Sequence, residues 1–134
     1  MSAAQDLVRV SAPSDAVLVV HEVNVTQEST ETSDTGAIQL QRASTDGTGT
    51  SYIPKLLQPS DAAFGGSAVT NLTADTTAGD VLYREGYNIL PGYRKLFTPE
   101  QRPVVPPSGR FVVRSDVAIT AATLTCELVV EELG

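Results

Sequence analysis

Residues that could perform acid–base or nucleophilic chemistry are scarce, with a single histidine, His21, and a single cysteine, Cys126. A Ser-His-Asp or Cys-His catalytic group would have to use His21, and a zinc site would need carboxylates to complete its shell. Cys126 alternates with leucines, which is typical of a core thiol. His21 alternates with four valines and is expected to be a partly buried structural residue. We therefore predict an absence of catalytic, cofactor-binding and metal-binding residues, and a protein that is not an enzyme.

Carboxylates in polar loops offer a second kind of chemistry, because calcium prefers oxygen ligands. Their spacing matches no EF-hand, so a structural calcium ion stays open on the sequence alone. Five aspartates fall in such loops: Asp34, Asp46, Asp61, Asp75 and Asp80.

Four tyrosines could stack against sugar rings, and they are equally typical of a subunit interface. The carbohydrate reading keeps a ligand-binding β-sandwich module, for example in a phage tail or receptor-binding apparatus, as the alternative function. The tyrosines are Tyr52, Tyr83, Tyr87 and Tyr93.

Composition narrows the class of protein further. The chain has 134 residues, which fits one domain, and a formal charge of -7, which disfavours phosphate backbones and predicts no nucleic-acid partner. It contains no tryptophan, so Val, Leu, Ile and Ala must build the core. Its first residues, MSAAQDLVRV, resemble no signal peptide, and no apolar run has membrane-spanning length. We expect a protein made in a cytoplasm, without a membrane partner.

Alternation of apolar and polar residues predicts strands over 6–10, 16–27, 37–43, 81–87, 88–97, 110–117 and 121–131, with SAVTNLT as a further candidate between 44 and 80. No segment carries a secure helical stripe. Seven or eight short strands separated by turn residues predict an all-β fold, an antiparallel β-sandwich of jelly-roll type with long Thr/Gly/Pro-rich loops. Residues 1–15 are predicted to be an N-terminal arm or first short strand, and residues 16–134 a single β-sandwich domain.

The segment 98–108, TPEQRPVVPPS, contains four prolines and cannot be a central strand. We expect it to run extended, as a stiff crossover between sheets or as a subunit contact. In the second reading Val104 and Val105 are exposed on a monomer, and Arg102 and Arg110 bridge to carboxylates of a neighbour. These four residues are the predicted subunit interface.

The strand AVLVVHEVNVTQES, the middle DGTGTSYIPKLLQPSDAAFGG and the tail VVPPSGRFVVRSDVAITAATLTCELVVEELG together resemble small virion structural proteins of tailed bacteriophages, of the capsid cement or decoration type. The resemblance covers most of the chain. It implies a jelly-roll sandwich, commonly trimeric, that binds the major capsid protein and stabilises the phage head on the virion surface. No functional residue carries over, because no motif aligns position by position. We expect residues 1–15 and the 44–66 loop to face the shell, because both segments are polar and flexible and are predicted to lack partners within the chain.

Overall fold

In the computed structural model the described residues are 3–28, 34–120 and 123–134, and they form ten strands in two antiparallel sheets packed against each other. A three-residue 3-10 helix, Pro99–Gln101, is the helical element of these ranges. The strands are β1 (Gln5–Ser11), β2 (Val17–Gln27), β3 (Thr35–Ala43), β4 (Thr48–Tyr52), β5 (Ser67–Ala74), β6 (Ala78–Asn88), β7 (Tyr93–Leu96), β8 (Val104–Val105), β9 (Arg110–Ser115) and β10 (Leu124–Leu133).

The predicted all-β antiparallel sandwich is confirmed, while the jelly-roll type of connection stays a prediction. Ten strands replace the seven or eight expected, because β4 lacks an apolar face and β8 has only two residues between prolines. Three predicted segments reach beyond the described ranges: residues 1–2 of the predicted arm, part of the polar loop that contains Asp34, and residues 121–122 at the start of the last predicted strand.

The larger sheet has six strands in the order β4-β5-β1-β9-β3-β6. β1 lies inside this sheet, hydrogen-bonded to β5 on one side and to β9 on the other. The expectation that residues 1–15 lack internal partners is therefore wrong for residues 5–11. The same expectation is wrong for residues 48–52 of the 44–66 loop, which form β4 and pair with β5.

The smaller sheet has the order β10-β2-β7, and β8 also pairs with β2. The register between β10 and β2 shifts at His21: Val129 lies opposite Glu22, and Val130 lies opposite Val20. His21 is thus the extra residue of a β-bulge, which reverses the inward and outward alternation along the strand. The alternation in the sequence predicts that all the odd-numbered valines of β2 lie on one face. The structure instead buries Leu18, Val20, Val23 and Val25 and turns Val17 and Val19 outward.

The core lies between the sheets and is mainly aliphatic, with three buried aromatic residues, Tyr93, Phe97 and Phe111. The larger sheet contributes Val10, Ile38, Leu40 and Val113. From β10, the alternating residues Leu124, Cys126, Leu128 and Val130 pack against this core, as the sequence predicts.

A long two-stranded ribbon joins opposite sides of the larger sheet. Ala43 pairs with Ala78 in its base, and Thr48 pairs with Ala74 nearer its tip. Between those pairs, the backbone N–H of Thr77 donates to Thr45 Oγ1 at 2.8 Å. The base of the ribbon continues from β3, which lies next to β9, and its far end continues into β5, which lies next to β1. The ribbon must therefore cross the β1–β9 pair. It continues beyond β4 into a largely exposed connection, residues 53–66, which we call the hairpin tip.

Candidate functional site

His21 and Cys126 lie on opposite faces of the smaller sheet. His21 points outward, with Nε2 3.0 Å from Glu131 Oε1. Cys126 points inward, and burial together with the nearby Glu127 raises the pKa of its thiol to about 12. The structure therefore does not bring these two residues into a common site. The His21 side chain contacts a carboxylate, and the Cys126 side chain packs against the core.

Three of the five loop aspartates are held by an arginine or a backbone group. Asp46 Oδ1 accepts a hydrogen bond from Arg110 Nε at 2.5 Å, and this contact lowers the pKa of the carboxyl. Asp75 Oδ2 lies 2.8 Å from Arg114 Nη1, and Asp34 Oδ1 accepts from the N–H of Thr35. Within the described ranges, no three His, Cys, Asp or Glu side chains are grouped so that they could hold a metal ion.

The tyrosines do not form a common stacking surface. Tyr87 and Tyr93 pack edge to face between the sheets, with ring centroids 6.0 Å apart, and burial raises the pKa of Tyr87 to about 12. Tyr83 packs against Phe97 at 5.3 Å. Only Tyr52 among the four is more than half exposed, at 51%.

The two valines of the predicted subunit interface have different surroundings in the structure. Val105 is fully buried, because β8 pairs with β2 opposite Leu18 and directs this side chain into the core. The expectation that Val105 is exposed on a monomer is therefore wrong. Val104, opposite Val19, points outward and is 47% exposed.

The two arginines of the predicted interface have different surroundings. Arg110 is held within the chain by Asp46. The Nε of Arg102 is buried and has no hydrogen-bond partner among the described residues. Arg102 lines a shallow hollow of about 380 Å³ beside Val104, together with Arg42 and Tyr83. This hollow is locally cationic on a chain whose formal charge is -7.

An apolar area covers part of the outer face of the smaller sheet. The register places Val17 opposite Leu133, and Val19 opposite Val104. Leu96 and Val129 both lie opposite Glu22. The sequence did not reveal this area, because the bulge at His21 decides which valines face outward. We call it the outer patch: Val17, Val19, Leu96, Val104, Val129 and Leu133.

Several exposed apolar side chains lie close together in sequence where β4 enters the hairpin tip. Leu57 is 88% exposed and Ile53 is 78% exposed. Tyr52 and Leu56 lie beside them in sequence and are also exposed. We call these four residues the tip patch; Lys55 is the charged residue between them. The patch falls within the 44–66 loop that the sequence predicts to face a partner.

Buried polar residues lie where the crossing ribbon packs on the larger sheet. They hold the ribbon that carries the hairpin tip. Asp6 is fully buried, and its Oδ2 accepts from the backbone N–H of Thr76 at 2.8 Å and from Thr76 Oγ1 at 2.6 Å. Its Oδ1 lies 2.9 Å from Arg114 Nη1. Arg9 and Gln41 are also buried although they are polar. Burial at these positions could not be predicted from the sequence, because charged and polar residues in a strand normally indicate a solvent-facing side.

Comparisons with known proteins give no relative for this chain: no protein-family model, no curated protein and no solved structure matches it. In the part of the chain that the structure describes, no helix is long and apolar enough to cross a membrane.

Proposed function

We propose that this protein is a capsid cement or decoration protein of a tailed bacteriophage, which binds the head shell as a homotrimer and stabilises it. The tip patch is the observation that carries this proposal. Exposed apolar side chains grouped on one loop are typical of an interaction site, and burying Ile53 and Leu57 in a partner would contribute about 1.5–3 kcal/mol for each side chain. The partner in the proposal is the major capsid protein.

The support beneath the tip patch fits a docking role. Strands β4 and β5 carry the tip, and β5 is hydrogen-bonded to the central strand β1. Asp6 holds the crossing ribbon through Thr76, and Arg114 holds it through Asp75. A loop mounted on fixed strands loses less conformational entropy on binding than a free arm does.

The outer patch supports the trimer in the proposal. It joins Val104 to neighbouring apolar side chains and lies beside the hollow lined by Arg42 and Arg102. A second copy of this acidic chain would bring carboxylates to those guanidinium groups, and Arg pairs strongly with carboxylate. The predicted interface residues Val104 and Arg102 keep their proposed role. Val105 contributes only by fixing β8.

The proposal is preferred over a carbohydrate-binding module because the tyrosines that would stack on sugar are mostly packed internally. Tyr87 and Tyr93 contact each other between the sheets, and Tyr83 contacts Phe97.

Co-sedimentation with emptied phage shells tests the docking site. Leu57→Asp places a charge in the tip patch, and we expect it to weaken shell binding by about tenfold or more. Gln58→Asp is the matched control, since it adds the same charge at the next exposed position and should bind like the unaltered protein. If Leu57→Asp binds shells as well as Gln58→Asp and the unaltered protein do, the tip is not part of the docking surface. If the unaltered protein does not bind shells, the cement proposal is wrong.

A further inference from the structure

A groove opens between the two sheets beside β10, which is an edge strand of the smaller sheet among the described residues. Its apolar floor comes from Leu7 and Val8 of β1 and from Leu124 and Cys126 of β10. Its polar rim comes from Gln5, Thr70, Asn71 and Thr123, and its volume is about 460 Å³. This is a size typical of ligand-binding clefts. We call it the β10 groove.

The groove exists because the smaller sheet stops before the larger one does. β10 shares the groove with β1 and with the β5 residues Thr70 and Asn71, while the larger sheet continues through β5 to β4. On its other side β10 has no strand partner among the described residues, although it is ten residues long. Neighbouring strands lie about 4.8 Å apart and packed sheets about 10 Å apart, so a strand added to β10 would lie over β5.

One end of this edge is already occupied. Glu132 Oε2 accepts a hydrogen bond from the backbone N–H of Gly65 at 2.9 Å, which brings the end of the hairpin tip against β10. Phe64 packs against the core beside it. The open length is therefore the first half of β10, from Leu124 to about Leu128, enough for a short peptide strand.

The side chains around this open half define the occupant. Residues of an added strand alternate between the groove floor and the outer face. Those that face the floor would meet Leu7, Leu124 and Cys126. Those that face outward would lie near Glu127, which is exposed, and Glu28, which accepts from Thr125 Oγ1 at 2.5 Å. The strand β10 carries three glutamates and no Lys or Arg, and Glu127 is the one in its open half.

We propose that the β10 groove binds an extended peptide segment of a partner protein, in which apolar residues alternate with lysine or arginine, as an added antiparallel or parallel strand. A second copy of this chain fits less well edge to edge, because two β10 strands would bring their glutamates together. The inference does not depend on the proposed function, since it uses neither the tip patch nor the outer patch.

The test uses a short acetylated peptide in which valine and lysine alternate, added to the full chain. We expect saturable binding and slowed amide hydrogen exchange in residues 124–128. Amide hydrogen exchange in β6, an edge strand of the larger sheet, should be unchanged. The same peptide with glutamate in place of lysine should bind much more weakly. Binding without protection of 124–128, or equal binding of the two peptides, would overturn the proposal.

Two variants separate the groove from non-specific attraction. Glu127→Lys should weaken binding of the valine–lysine peptide on the order of fivefold, whereas Glu100→Lys, with the same change of charge at an exposed position of the 3-10 helix, should leave it unchanged. Thr70→Phe narrows the rim and should abolish binding while the melting temperature shows an intact fold. Hydrogen exchange of residues 124–128 is also measured at rising protein concentration without peptide. If exchange slows only under those conditions, the occupant is a second copy of this chain and the peptide proposal is wrong.

Discussion

Asp6 on β1 and Arg114 on β9 face each other across the register of the larger sheet, and their side chains form an ion pair of 2.9 Å. Asp6 is fully buried beneath the crossing ribbon, where it also binds Thr76. Arg114 continues the contact to Asp75 on the ribbon. The pair therefore fastens the long hairpin to the centre of the sheet.

Removing this carboxylate should be strongly destabilising. Asp6→Ala leaves the Arg114 cation without one partner and Thr76 without its acceptor, so we expect the free energy of unfolding to fall by about 3–5 kcal/mol. Asp61→Ala, in the exposed hairpin tip, should change it by less than about 0.5 kcal/mol. Urea unfolding of both variants measures the difference, and similar values for the two would contradict a fastening role.

Substitution by alanine should affect stability very differently at Val104 and at Val105. Val105→Ala opens a cavity in the core and should cost about 2–3 kcal/mol of unfolding free energy, whereas Val104→Ala should cost less than about 0.5 kcal/mol in the monomer. Val104→Asp should shift the proposed trimer toward monomer in light scattering. A trimer indifferent to Val104→Asp would place the subunit contact elsewhere and leave 98–108 as a crossover between sheets.

Stability should fall in acid because several surface carboxylates are paired with arginines. Arg110 lowers the pKa of Asp46, and Arg84 lowers the pKa of Asp116. A carboxyl with a lowered folded-state pKa stabilises the fold above its unfolded pKa, near 4, and this contribution is lost as pH falls through the folded value. Asp46→Asn should flatten the decline of unfolding free energy below about pH 4. An unchanged slope would show that the Arg110 contact contributes nothing in solution.

The thiol of Cys126 should be unreactive in the folded protein. Its raised pKa of about 12 stabilises the fold below the unfolded pKa, near 9, and that contribution is lost as pH rises toward 12. At pH 8 a disulfide reagent should label folded Cys126 at least about a hundredfold more slowly than denatured protein. Cys126→Val should keep the fold and lose the thiol part of the alkaline decline. Fast labelling without unfolding would contradict the raised pKa of this thiol.

The sequence predicted the strands whose apolar residues alternate, and missed features that depend on a distant partner. The run Val17 to Val20 is apolar on both faces, so only the bulge at His21, seen in the pairing with β10, decides which side is buried. β4 has no apolar alternation at all and is a strand because β5 pairs with it.

The candidate surfaces were predictable in part for the same reason. The sequence predicts that the 44–66 loop faces a partner because the loop is polar, whereas the structure shows exposed apolar side chains in it. Burial of Asp6 and Arg9 could not be inferred, because the ribbon that covers the β1–β9 pair comes from residues far away in sequence. The β10 groove likewise arises from the different widths of the two sheets.

The presence of this chain on purified particles tests the cement proposal most directly. Phage heads assembled in cells that express the chain with its genomic neighbours would be banded in a density gradient and analysed by quantitative mass spectrometry. We expect a fixed stoichiometry of this chain to the major capsid protein, in multiples of three per binding site, and loss of that signal with Leu57→Asp. Particles that band with normal density and contain none of this chain would contradict the account.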